Sequence, residues 1–178
     1  MVKRYSILYL ILFVICICYL HGCVVTKTKN LTYKDTYKLQ SDIIQTDGYY
    51  YKVDTTDGII SAFIFFKNGY LYHGYFRSHE EIKKLFYRTD LKENKYSWGV
   101  YRIDGDIIKT QFFSPARGNE LQGIWEVIEE HGKIENKNNI VFYKSFLLGK
   151  ERLYNIKYEF YKMNVTPDST NWLMEIKK

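Results

Sequence analysis

Ile59-Ile60-Ser61-Ala62-Phe63-Ile64-Phe65-Phe66-Lys67-Asn68-Gly69-Tyr70-Leu71-Tyr72-His73-Gly74-Tyr75-Phe76-Arg77 reads as two strands joined by a tight turn. Both halves are aromatic and β-branched, the composition that suits a pleated, half-buried surface. Between them, Asn68-Gly69 supplies the positive φ angles that short hairpins need. The same punctuation recurs at Asp47-Gly48, Asp57-Gly58, Asp104-Gly105 and His131-Gly132. It divides the chain into eight expected strands, at 49–54, 59–67, 70–77, 95–103, 107–114, 121–130, 139–146 and 156–162, with a short ninth at 173–176. Several alternate with a period of two, as a sheet with one wet face does. In 121–130, Leu121, Gly123, Trp125 and Val127 share one face; in 139–146, Ile140, Phe142 and Phe146 share another, with Lys144 interrupting.

One helix breaks the meander. Ser78-His79-Glu80-Glu81 fits a capping box, and Ile82, Leu85 and Phe86 follow at helical spacing. The helix is expected to cover one end of the sheet. Irregular loops are expected at 114–120 and around Pro167-Asp168.

The fold class is therefore all-β: an antiparallel up-and-down meander of about eight strands with one short inserted helix. Closure into a barrel removes the exposed edges of such a sheet; a two-sheet sandwich is the competing architecture. The run of successive hairpins resembles the lipocalin-like barrels of bacterial lipoproteins. This resemblance is one of architecture and carries over no ligand residue.

Ahead of the strands the chain is different. Lys3 and Arg4 precede an apolar run of 15 residues, 6–20. A membrane-spanning helix needs about 20, whereas a short run behind positive charge fits an export signal. Leu20, Gly22 and Cys23 stand where the lipobox of bacterial lipoprotein signals has its leucine, its small residue and its modified cysteine. The resemblance implies cleavage after Gly22, acylation of Cys23 and a chain held on a bacterial membrane in the cell envelope, at the periplasmic face of the outer membrane. An uncleaved anchor over 5–25 is the alternative. The expected organisation is a signal peptide at 1–22, a lipidated N-terminus and tether at 23–47, with one loosely attached segment at 33–39, and a barrel domain at 48–178.

Cleavage before Cys23 removes 22 of the 178 residues and leaves 156, enough for one domain with a sizeable core. Cys16 and Cys18 go with the signal, so the folded part has no disulfide and no thiolate metal site. The net charge of +6 falls to +4 without Lys3 and Arg4 and is spread along the chain. Nucleic-acid binding needs a clustered basic patch and is not expected. The 18 tyrosines are the unusual component.

Five residues are candidates for ligand contacts in a barrel bore: His73, Trp98, Arg102, Gln111 and Trp125. Each has a plainer reading. His73 suits a hydrogen-bonded strand histidine, and no second ligand lies at metal spacing. Arg102 shares a face with Tyr96, Trp98 and Val100, beside Asp104-Gly105-Asp106, where it could grip a carboxylate or pair with a neighbouring acid. Lys109 and Gln111 suit the wet face of a hairpin, and the tryptophans suit core packing. His79 and His131 read as exposed. No nucleophile elbow, phosphate loop or zinc helix is present, so no enzyme and no cofactor is indicated. Two functions remain: an anchored barrel holding a small apolar or amphipathic ligand, or a solid barrel docking a tyrosine-rich face onto another envelope protein.

Overall fold

A computed structural model describes residues 31–33, 43–88, 90–115, 125–165 and 168–174. The expected signal segment, Gly22 and Cys23 lie outside the described residues, as do 24–30, 121–124 and the side chain of Trp125. The chain forms β1 (Gly48–Val53), β2 (Ile60–Phe65), β3 (Tyr70–Phe76), α1 (His79–Leu85), β4 (Trp98–Asp104), β5 (Ile107–Pro115), β6 (Trp125–Asn136), β7 (Asn139–Leu147) and β8 (Lys150–Lys162). All pairings are antiparallel between sequence neighbours, and β8 returns to β1, closing an up-and-down barrel. Closure was the expectation, and the sandwich is excluded.

The register separates two layers of side chains. Tyr50, Phe63, Phe65, Leu71, Tyr101, Ile108, Phe112, Phe142 and Tyr158 point inward and form one cluster. Phe63 is its centre, with ring centroids 4.5–5.7 Å from His73, Phe65, Phe112, Phe142 and Tyr158. One end of the bore is shut. Tyr101 donates its hydroxyl to the Phe66 carbonyl at 2.8 Å. Tyr50 donates to the Lys137 carbonyl and accepts from the Gln45 amide, while Ile44 packs inside the cluster. A segment at 43–47, rather than the helix, therefore closes this end.

The second layer lies outside the barrel, against β1–β5. Ala62, Ile64, Tyr72, Trp98 and Val100 face outward but are covered by Ile82, Leu85 and Phe86 and by Leu91 and Leu173. Sheet faces buried on both sides lose their alternation, and β2 is buried at all six positions. Helix α1 starts where its capping box placed it: Ser78 Oγ accepts from the Glu81 amide at 3.3 Å. Glu81 reaches back to the Arg77 amide at 2.7 Å. The helix covers a wall of the barrel, not an end of the sheet.

Four boundaries differ from expectation, the first being the start of β4 at Trp98, because Lys95–Ser97 forms a 3-10 turn. His131-Gly132 is not a turn: β6 runs through it with a register shift, and the hairpin falls at 137–138. A bulge offers the same local backbone freedom as a turn while keeping both strands paired. Leu173 lies in a 3-10 turn, Trp172–Met174, rather than a ninth strand. β8 starts at Lys150, six residues earlier than expected, after a two-residue turn at Leu148-Gly149 with φ of 54° and 72°. Both central residues of such a turn are left-handed, where leucine is strained by roughly 1 kcal/mol and asparagine is tolerated. Leu148→Asn is expected to raise the unfolding midpoint by about 2–4 °C, the shift that 1 kcal/mol produces at this size, measured by calorimetry; an unchanged or lower midpoint would show that the leucine is not strained.

Strand β8 outruns β1. Its ladder with β7 covers Lys150 to Glu159, whereas its ladder with β1 covers only Glu159 to Lys162. Among the described residues, the first half of β8 thus has a strand neighbour on one side only. The bore widens there, at the end opposite the one that Tyr50 and Tyr101 close.

Candidate functional site

The wide end holds a cavity of about 700 Å³. Its wall comes from inward positions of five strands and the end of β1: Lys52 of β1, Ser61 of β2, Tyr75 of β3, Ile128 and Glu130 of β6, Ser145 and Leu147 of β7, and Tyr154, Ile156 and Tyr158 of β8. Most stand one pleat repeat from a residue of the inner core, so the period of two that packs the closed end also aims these groups into the cavity. The rim is Leu148, Lys150, Glu151 and Arg152.

Glu130 is the chemical centre. Burial pushes its carboxyl up to about 7, and the nearby Tyr154 hydroxyl and Lys52 ammonium only partly oppose this. The Tyr154 hydroxyl is buried beside it, near Glu130 and Ser145, and makes no well-formed hydrogen bond among the described residues. Thr110 is the cross-strand neighbour of Glu130, and its hydroxyl is also buried without a partner. Buried polar groups in native proteins are nearly always satisfied, and exceptions mark a bound water, an ion or a functional role.

A second polar group lies deeper. Ser61 Oγ is 2.9 Å from the Tyr158 hydroxyl and 3.2 Å from His73 Nε2. His73 sits between Phe63 and Phe112, with centroids 4.5 and 4.4 Å away. Burial drives its imidazole down to about 3, so it is neutral at physiological pH. Burial raises the phenols of Tyr154 and Tyr158 above the ordinary tyrosine range, with Glu130 adding to it, so both remain hydrogen-bond donors. The arrangement can accept a hydrogen bond at Glu130 and donate one from Tyr154, against apolar walls at Ile128, Ile156 and Leu147.

The expected site residues do not meet here. His73 is inward but lies behind Ser61. Trp98 faces outward, buried under the helical layer, with its indole N–H donated to the Leu91 carbonyl at 2.9 Å. Arg102 and Gln111 are also on the outer wall, since Gly99, Tyr101 and Ile103 take the inward phase of β4. The backbone of Trp125 begins β6, and its side chain is outside the described residues.

On that wall, Arg102 and Gln111 hold the chain's own N-terminal segment. Gln111 Oε1 accepts from the Thr32 amide at 2.8 Å, and Gln111 Nε2 donates to Thr32 Oγ1 and Glu129 Oε2. The Arg102 guanidinium lies 4.3 Å from the centre of the Tyr33 ring and 3.3 Å from Asp104 Oδ2. Burial would raise the Glu129 carboxyl, but hydrogen bonds from His131, Tyr33 and Gln111 outweigh it and lower it. His131, expected to be exposed, is half-buried and 2.6 Å from Glu129 Oε1. Leu31 and Tyr33 are buried against the barrel.

Sequence reading gave Glu130, Tyr154 and Tyr158 no place in a site. Ending β6 at His131-Gly132 hid the run Ile128-Glu130-Gly132-Ile134, in which Glu130 takes the apolar phase. Starting β8 at residue 156 likewise hid Tyr154-Ile156-Tyr158-Phe160. Among the described residues, no group of His, Cys, Asp and Glu could hold a metal ion. Comparison of the chain with protein-family models, with curated proteins and with solved structures finds no match.

Proposed function

We propose that the open half of the barrel binds a small amphipathic molecule, and that the protein is a lipoprotein of the bacterial envelope held by acyl chains on Cys23. The observation that carries the first half is on the cavity wall: a carboxyl raised by burial, beside a buried tyrosine hydroxyl that lacks a well-formed hydrogen bond among the described residues. Such a hydroxyl is costly in an empty site, because an unmet buried polar group forfeits its hydration. A ligand that donates to Glu130 and accepts from Tyr154, and lays an apolar body on Ile128, Ile156 and Leu147, satisfies both. The volume lies within the range of about 300–1,000 Å³ of small-molecule sites. It favours this reading over a solid barrel that docks onto another protein.

Native mass spectrometry of the full chain, purified gently from membranes, tests the ligand. The expected spectrum contains a bound species that is reduced in Tyr154→Phe and in Glu130→Gln. A spectrum of bare protein from every preparation, with no uptake of amphipathic probes such as an alkylamine or a long-chain alcohol, would overturn the reading. The same instrument tests the anchor. The native protein is expected to begin at Cys23 with added acyl mass, and Cys23→Ser to lose that mass and leave the membrane fraction. Met1 retained without an acyl adduct would refute it.

A further inference from the structure

The hairpin that rims the cavity leaves apolar side chains open to solvent. Leu148 and Leu153 are each 71% exposed, and Leu147 is also exposed. Leu148 is held at φ 54°, a conformation that asparagine or glycine adopts at lower cost. A leucine in that place is unfavourable for its backbone and for its hydration. The stretch is also basic. Lys144, Lys150 and Arg152 stand against Glu151 alone, and Glu151 is taken up by Lys144 at 3.8 Å. Lys150 and Arg152 have no ion-pair partner among the described residues. Leucines at a tip with free cations one or two residues away match the interface of an anionic bilayer, where apolar groups enter the acyl boundary and cations meet the headgroups.

We propose that the tip of the β7–β8 hairpin docks onto an anionic lipid surface, with Leu148 and Leu153 entering the interface and Lys150 and Arg152 lying at the headgroups. Leu147, Leu148, Lys150 and Arg152 also line the cavity, so the mouth then faces lipid. An amphipathic molecule passes between membrane and bore without crossing open water. The docking goes beyond the ligand reading and does not need it: an empty barrel would dock as well.

The test is hydrogen exchange of the full chain on vesicles of phosphatidylcholine alone and of phosphatidylcholine with phosphatidylglycerol. The N-terminal anchor can hold the chain on either vesicle, so the readout is local, at the backbone amides of 144–153. Exchange there is expected to slow severalfold on the anionic vesicles only. Leu148→Asn should abolish the slowing, and because asparagine suits this backbone, a loss cannot be laid to unfolding. Lys150→Glu combined with Arg152→Glu should abolish it too. Equal exchange on both vesicles, or protection that survives Leu148→Asn, would overturn the proposal. Protection appearing instead with protein concentration and without vesicles would also overturn it, in favour of contact between copies.

Discussion

Phe63→Ala is expected to cost roughly 3–5 kcal/mol, the range for removing a buried phenylalanine ring. Phe63 is fully buried, and five aromatic rings meet its ring from five other positions of the bore. Those neighbours sit on strands fixed by hydrogen bonds to both sides and cannot collapse into the space, so the cavity penalty adds to the lost transfer energy. Domains are stable by about 5–15 kcal/mol, so this one change removes a large share. The unfolding midpoint should fall by about 6–20 °C, at about 2–4 °C per kcal/mol for a chain of this size. Tyr87→Ala, at an exposed ring, is the control and should stay within about 0.5 kcal/mol. A loss below about 1 kcal/mol for Phe63→Ala would mean that the bore is not packed around it.

Glu130→Gln should change stability in a pH-dependent way. The Glu130 carboxyl moves from the ordinary glutamate value of 4.5 to about 7 on folding. The folded state therefore holds this proton more tightly than the unfolded chain. Its contribution is fully present below about 4.5, falls as pH rises, and is lost above about 7. Each tenfold gain in proton affinity is worth about 1.4 kcal/mol, so the whole contribution is about 3 kcal/mol. The glutamine keeps the shape and cannot ionise. The variant should match the native protein near pH 4 and exceed its stability by up to about 3 kcal/mol near pH 8. His73 works in the opposite sense. Its imidazole falls from 6.5 to about 3, so stability is lost as pH drops below 6.5. Between about 4.5 and 6.5 the two contributions oppose each other, and Glu130→Gln should expose the His73 slope. Chemical denaturation at about pH 4, 6 and 8 reads both. A constant difference between variant and native protein across that range would show that Glu130 is not buried as described.

How much of this was written in the sequence depends on the element. The strand order was legible because each hairpin carries its own signal, and neighbours in such a chain pair with each other. The inward face was not. A period of two separates a strand into two sets without saying which is inside, and here the helical layer makes the outer set of β2–β4 as apolar as the inner one. Trp98 belongs to that outer set, and Arg102 and Gln111 to the same face of the wall. Glu130 was hidden for a different reason. A glycine after a polar residue marks a bulge as readily as a turn, and reading His131-Gly132 as a turn ended the strand at the residue that mattered. The early half of β8 is exposed on both faces, so its composition gave no apolar phase to follow.

The grip of Gln111 and Arg102 on Thr32 and Tyr33 sets a length. Cys23 stands eight residues before Leu31, and a fully extended chain gains at most ~3.6 Å per residue. If Cys23 carries the anchor proposed above, the leash is under about 30 Å. A body on so short a leash cannot drift away from its bilayer or tumble freely above it. Loosening the grip at Gln111 would lengthen the free chain and widen the volume the body sweeps, without altering a single group in the cavity.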